Sequence, residues 1–322
     1  MSVPTKRARV RRIAACLVLT VPLGLAACGD DSSEGGGGGS AEQSPAAAQP
    51  TTLSITTSDA GEGRFTTEAP GSIKGGLVKI VFKNAGKMPH EAQLIRLEQG
   101  HTAQEALEVI DSEESKTPEW LRGAGGVALT PPGQQGTTFI NLPAGNYVVL
   151  SLGAGGPEEG PTPASRGALA EFEVTRGEPG ELPQTSASIV AEDDGEHGEA
   201  GKGEDAGEHE HGFETTGLKA GRNMVLFDNR SDEIHHAVLA PIIGDTTLEE
   251  VEEALASEGP PEGPPPVDFE NAVITSVLDG KTKEVTEMEL RAGRYALLCF
   301  LSDREGGKPH VAEGMIEEVT VR

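Results

Sequence analysis

The chain has 322 residues, of which 36% are hydrophobic and only 3% aromatic, and it carries a formal charge of −26 at pH 7. A surface this acidic argues against nucleic acid and anionic lipid headgroups as partners. The 43 Gly and 22 Pro break the apolar residues into short runs; this favours many strands and turns over long helices, and the length beyond the N-terminal segment suits two domains better than one.

Lys6, Arg7, Arg9, Arg11 and Arg12 precede the apolar run Ile13 to Leu25. That run is too short to span a bilayer as a helix and has the proportions of a signal peptide, expected over residues 1–27. Leu25-Ala26-Ala27-Cys28 resembles a bacterial lipobox, which makes Cys28 the expected lipidated first residue of an exported protein on the extracytoplasmic face of the membrane. An ordinary cleavage site beside an incidental Cys is the alternative. Residues 28–50 are rich in Gly, Ser and Ala and read as a flexible tether. Of the three Cys, Cys16 leaves with the leader and Cys28 takes the lipid, so Cys299 has no intramolecular disulfide partner.

The rest of the chain is a repeat. The strand-like runs Leu77 to Asn84 and Met224 to Asn229 each end in an Asn followed six positions later by a His, namely His90 and His235. A short apolar segment follows each His, over 92–97 and 237–243. Each then leads to a helix with a capping box, expected at Thr102 with Glu105 and at Thr246 with Glu249. Ala144-Gly145-Asn146-Tyr147 matches Ala292-Gly293-Arg294-Tyr295, and the closing strands follow Gly167 and Gly314. The expected domains are 51–176 and 184–322, joined by a linker at 177–183. Both are expected to be all-β sandwiches with one helix inserted as a crossover. Residues 192–211, almost wholly Glu, Asp, Gly and His, read as a disordered surface loop.

The second copy ends in Tyr295-Ala-Leu-Leu-Cys299, then His310, then Gly314-Met315. This resembles the C-terminal loop of the cupredoxins, the plastocyanin-like blue copper family. The resemblance implies two tandem Greek-key β-sandwiches and one copper ion, held in the second by His235, Cys299, His310 and Met315. Two imidazoles and a thiolate with a long axial thioether suit a one-electron copper site. Ten residues, Phe300 to Pro309, separate Cys299 from His310, a longer gap than in the small electron carriers, and this implies a loosely held His310. His236 adjoins His235, and alternation along a strand lets only one of them face the metal; the spacing from Asn229 favours His235.

The first copy has His90 but carries Ser151 where the second has Cys299, Ala168 where it has Met315, and no His between Leu152 and Gly167. It is expected to bind no copper. His209-Glu210-His211 superficially resembles the His-x-His pairs of multicopper oxidases, and with His197 it lies in the acidic stretch, where a solvated segment is the plainer reading. Cys299 as a buried core Cys and Met315 as a core side chain also remain open.

The leading expectation is electron transfer or copper handling, with an unknown redox or copper-donor protein as partner. The alternative is a metal-free surface binding module. Catalysis is not expected, because two-domain copper enzymes place a His beside the copper Cys, whereas here its neighbours are Leu298 and Phe300.

Overall fold

Alternation is the local cause of the architecture. In the run Leu77 to Phe82, Val78, Ile80 and Phe82 point to one face and are fully buried, while the side chains between them stay partly exposed. Met224 to Asn229 repeats this with Val225 and Phe227 fully buried. The computed structural model describes residues 49–98, 100–112, 116–153, 161–193, 211–256 and 264–322. The expected leader, Cys28, nearly all of the expected tether, His197 and His209 lie outside the described residues.

In chain order the first half contains β1 (Thr51–Gly61), β2 (Arg64–Glu68), β3 (Ser72–Lys74), β4 (Gly76–Asn84), β5 (His90–Leu97), α1 (Ala103–Ile110), β6 (Leu121–Thr130), β7 (Gln135–Leu142), β8 (Gly145–Leu150) and β9 (Leu169–Thr175). The second half contains β10 (Ala187–Asp193), β11 (His211–Thr216), β12 (Gly221–Asn229), β13 (Val238–Pro241), α2 (Leu248–Ala256), β14 (Val273–Ile274), β15 (Thr282–Leu290), β16 (Gly293–Leu298) and β17 (Ile316–Val321). Each half is a cupredoxin-like sandwich. One layer of the first half is the sheet β3-β9-β8-β5-β6, and its counterpart in the second half is β14-β13-β16-β17. The other layers are shared. β15 pairs antiparallel with β7, with Glu284 opposite Ile140 and Thr286 opposite Thr138, so one eight-stranded sheet runs β11-β10-β12-β15-β7-β4-β1-β2 across both halves. Its order is symmetric about the β15–β7 seam.

Repeated polar contacts fix the turns. Tyr147 Oη donates to the carbonyl of Pro143 at 2.8 Å, and Tyr295 Oη donates to that of Arg291 at 2.9 Å. Each bond satisfies a buried hydroxyl and closes the turn between two strands of opposite layers. α1 begins at the expected capping box of Thr102 with Glu105. The second box is one residue later than expected: Thr247 and Glu250 exchange the two capping bonds, while the Thr246 hydroxyl turns back to the carbonyl of Ile243. The ends of the acidic segment are also ordered: Glu192 and Asp193 belong to β10, and His211 opens β11 opposite Asp193. Among the described residues no helix is long and apolar enough to cross a membrane.

Candidate metal centre

His235 is delivered by an Asn-closed turn. Asn229, at the end of β12, donates through Nδ2 to the carbonyl of Glu233 at 2.8 Å and accepts the Ser231 N–H on Oδ1 at 3.1 Å. An Asn side chain can thus replace the backbone bonds that a tight turn lacks. His235 then exchanges backbone bonds with Leu278, which fixes its direction. Cys299 follows directly on β16, and its carbonyl accepts the N–H of Val311 at 2.8 Å. His310 starts a single 3₁₀ turn, His310–Glu313. Gly314 ends that turn at φ 100°, in the left-handed region where glycine is the natural occupant. Met315 then donates its N–H to the His310 carbonyl at 2.9 Å.

These elements bring three of the four expected ligands together. His235 Nδ1 lies 3.1 Å from His310 Nδ1, and Cys299 Sγ lies 3.5 Å from the same atom. All three residues are fully buried. Bonds of about 2.1 Å from nitrogen and about 2.3 Å from sulfur around one ion would space the donors about 3.3–3.8 Å apart, close to what is seen. Met315 is also fully buried, in the same apolar cluster as Cys299.

The electrostatics fit a cation. Burial pushes the Cys299 thiol up to about 12, although the N–H groups of His236 and Leu301 act in the opposite direction. A thiolate here is therefore costly unless a positive ion faces it. Burial, with the neighbouring imidazoles of His310, His211 and His236, pushes His235 down to about 2. It is therefore neutral at pH 7, as a metal-binding imidazole must be. One softly basic sulfur and two imidazoles suit copper.

His236 turns away from this cluster. Its Nε2 accepts the Phe300 N–H at 3.0 Å, and burial followed by the neighbouring His310 imidazole lowers it to about 4. His211 is the residue that the sequence concealed. It is buried, with its ring centroid 4.4 Å from that of His310 and 5.0 Å from that of His235. Asp303 Oδ1 sits 3.2 Å from His211 Nε2 and 3.1 Å from His310 Nε2. Nor is the long Phe300 to Pro309 segment loose: His310 donates its N–H to the Leu301 carbonyl at 2.7 Å, and Arg304 is buried.

The first half keeps the frame and lacks the donors. Ala164 N–H donates to the Ser151 carbonyl at 2.8 Å and Ala168 N–H to the Pro163 carbonyl at 2.9 Å, while Gly167 sits at φ 103°. Those bonds place Ser151, Pro163 and Ala168 where the second half has Cys299, His310 and Met315. His90 Nδ1 meets Ser151 Oγ at 3.1 Å, and the Phe65 ring stands edge-on to His90 at 4.7 Å.

No family model matches the chain, and no curated protein does. Solved structures that resemble it include one titled as a multicopper oxidase, at 15% identity, covering 84% of this chain and 88% of that one with a TM-score of 0.22. Another is the copper-containing nitrite reductase of Thermus scotoductus SA-01, at 11% identity, covering 84% of this chain and 61% of that one with a TM-score of 0.21. A third is the dithionite-reduced auracyanin of Roseiflexus castenholzii, at 24% identity, covering 33% of this chain and 80% of that one with a TM-score of 0.21. Two of these three are enzymes by their titles, but TM-scores this low do not bear on the reaction this chain performs.

Proposed function

We propose that the chain is a lipid-anchored, extracytoplasmic copper protein that transfers single electrons or handles copper. The observation that carries this reading is the convergence of His235 Nδ1, Cys299 Sγ and His310 Nδ1 in a buried cluster. In this reading His235, Cys299 and His310 hold one copper ion and Met315 supplies a weak fourth donor. Bound copper would supply a Cu(I)/Cu(II) couple with little change of ligand position. The chain's own part is to exclude water, keep His235 neutral and hold the sulfur against the two imidazoles. Cys299 has Leu298 and Phe300 as neighbours, and His236, the adjacent imidazole, is committed to the Phe300 N–H. That leaves no His leading from the cluster to a second, catalytic copper through the Cys, so electron transfer or copper handling is favoured over oxidase or reductase chemistry.

Titrating the reduced protein with Cu(II) tests the reading. It requires one equivalent bound and an intense thiolate-to-copper absorption. If the protein binds no copper, it is a metal-free binding module. If it binds a stoichiometric copper and turns over nitrite, or a phenol with dioxygen, it is an enzyme. The membrane attachment is tested separately: Cys28→Ala should move the protein to the soluble fraction, and a variant that survives a high-salt wash in the membrane fraction means that the anchor is something else.

A further inference from the structure

The segment between Cys299 and His310 does more than close a loop. Arg304, at its centre, is 7% exposed and is held by the first half of the molecule. Its Nη1 donates to the carbonyls of Pro118 at 3.1 Å and Leu121 at 3.2 Å, with that of Thr117 at 3.5 Å. Its backbone carbonyl accepts the Thr117 N–H at 2.9 Å, and its own N–H donates to Glu233 Oε2 at 2.8 Å. Nη2 pairs with the Asp279 carboxylate, which Arg122 of the first half also reaches at 3.3 Å. A buried guanidinium with a carboxylate partner and several carbonyl acceptors is locked in place. The same group without them would be an unpaired buried charge and strongly destabilising.

The next residue toward the metal centre is Asp303. Its Oδ1 faces Nε2 of both His310 and His211. A neutral imidazole has one N–H and one lone pair, and the partner of one nitrogen decides which is which. A carboxylate oxygen on Nε2 keeps the proton there. It leaves the Nδ1 lone pair directed at Cys299 Sγ and His235 Nδ1. Ten residues of loop would otherwise have to hold that ring by backbone alone.

We infer that the first half, which lacks the donors for a copper of its own, is the positioning element of the metal centre in the second: residues 117–121 fix Arg304, Arg304 fixes Asp303, and Asp303 fixes the tautomer and orientation of His310. The inference rests on His310 being a ligand, as proposed above, but its first readout needs no metal. In the metal-free full chain, nitrogen-15 chemical shifts of His310 should show the proton on Nε2. Asp303→Ala should give a mixture of tautomers and a 10- to 100-fold loss of Cu(II) affinity, the range usual for removal of such a partner. Asp303→Asn, which keeps the acceptor oxygen, should restore most of both. Arg304→Lys retains the cation opposite Asp279 but loses the fork to the carbonyls, so it should move both readouts in the same direction by a smaller factor. Arg294→Ala, which breaks the surface pair with Glu318, is the control for a general loss of stability and should move neither. An unchanged tautomer and an affinity within twofold of wild type in both Asp303→Ala and Arg304→Lys would overturn the inference. So would a second equivalent of Co(II) that disappears in Asp303→Ala, because Asp303 would then be a ligand in its own right. If wild type binds no copper while the tautomer responds as described, the functional reading fails and the positioning relay stands.

Discussion

The two halves present the same turn with different side chains. Around Ser151, Pro163 and Ala168 the backbone bonds match those around Cys299, His310 and Met315 to within 0.1 Å in the two corresponding lengths, and the closing glycines differ by 3° in φ. Backbone geometry therefore does not make the site; the donor atoms do. Where the thiol is replaced by a hydroxyl, His90 turns to that hydroxyl and Phe65 covers the ring. The first half has kept its fold and made its remaining imidazole part of the core.

The largest expected break of the comparison is Cys299→Ser, which gives the second half the residue that the first half has. The intense absorption on Cu(II) addition should vanish completely. The reciprocal change, Ser151→Cys in that background, should not restore it, because Pro163 and Ala168 still stand in place of an imidazole and a thioether. Colour at one equivalent in the double variant would mean that the thiol alone separates the two halves.

Next in size is the pair His235→Ala and His236→Ala. His235 belongs to the cluster, so its loss opens a position to water and should cost at least about tenfold in Cu(II) affinity while moving the spectrum away from a thiolate-dominated one. His236 accepts the Phe300 N–H. Its loss returns that partly exposed donor to water, at about 0.5–1.5 kcal/mol of stability, with the colour kept. Thermal melts read beside titrations separate the two, and the reverse ranking would exchange their roles.

The strand pairing of the repeat shows why some of this was legible in the sequence and some was not. Asn229, Cys299 and Met315 lie at or next to the ends of strands whose alternation is local, His235 lies in the turn that follows Asn229, and their spacing recurs in the first copy; local signals suffice for them. His211 sits in a stretch of Glu, Gly and His with no periodicity, and only the pairing of β11 with β10 buries it. Asp303 and Arg304 are polar residues in a Gly-containing loop. What makes Arg304 buried is contact with Pro118 and Leu121, more than 180 positions away, which no window along the chain reports. The match of Pro163 to His310 is visible only in hydrogen bonds. The second capping box was misplaced by one residue because adjacent Thr and adjacent Glu residues permit two registers.

A mid-sized difference between the halves lies at their seam. In the pairing of β4 with β7, Phe82 faces Gly136; in that of β12 with β15, Phe227 faces Glu284. Glu284 is fully buried and accepts the Gly126 N–H of the other half at 3.0 Å. Burial pushes its carboxyl up to about 8, with the Gly126 bond pulling the other way. The unfolded chain releases this proton near 4.5 and the folded chain holds it until about 8. Stability should therefore fall as pH rises through that window, by a few kcal/mol at about 1.4 kcal/mol per pH unit. Glu284→Gln should flatten the dependence and be the more stable form at pH 8. The same pH dependence of the unfolding free energy in wild type and Glu284→Gln, from denaturant titrations at pH 5, 6.5 and 8, would show that Glu284 ionises at its ordinary value.

The smallest expected effect is at the last pair, Met315 and Ala168. Both are fully buried, and both donate their N–H across the same turn. Met315 has two possible duties: filling the core, where it belongs to one apolar cluster with Cys299, Tyr295 and Val319, and offering sulfur to the metal. Met315→Leu separates them. Leu has nearly the same volume, so packing alone predicts a cost below about 1.5 kcal/mol. A long thioether bond adds little to affinity, so copper and colour should persist, while the reduction potential moves because the axial donor is one of the levers that set it. Met315→Ala copies the first half instead and should cost about 2–5 kcal/mol through the cavity it leaves. A potential that shifts in both variants, with stability lost only in the second, assigns the sulfur to the metal. A potential unchanged in Met315→Leu makes Met315 a core residue alone, and the second half then differs from the first by a thiolate and an imidazole.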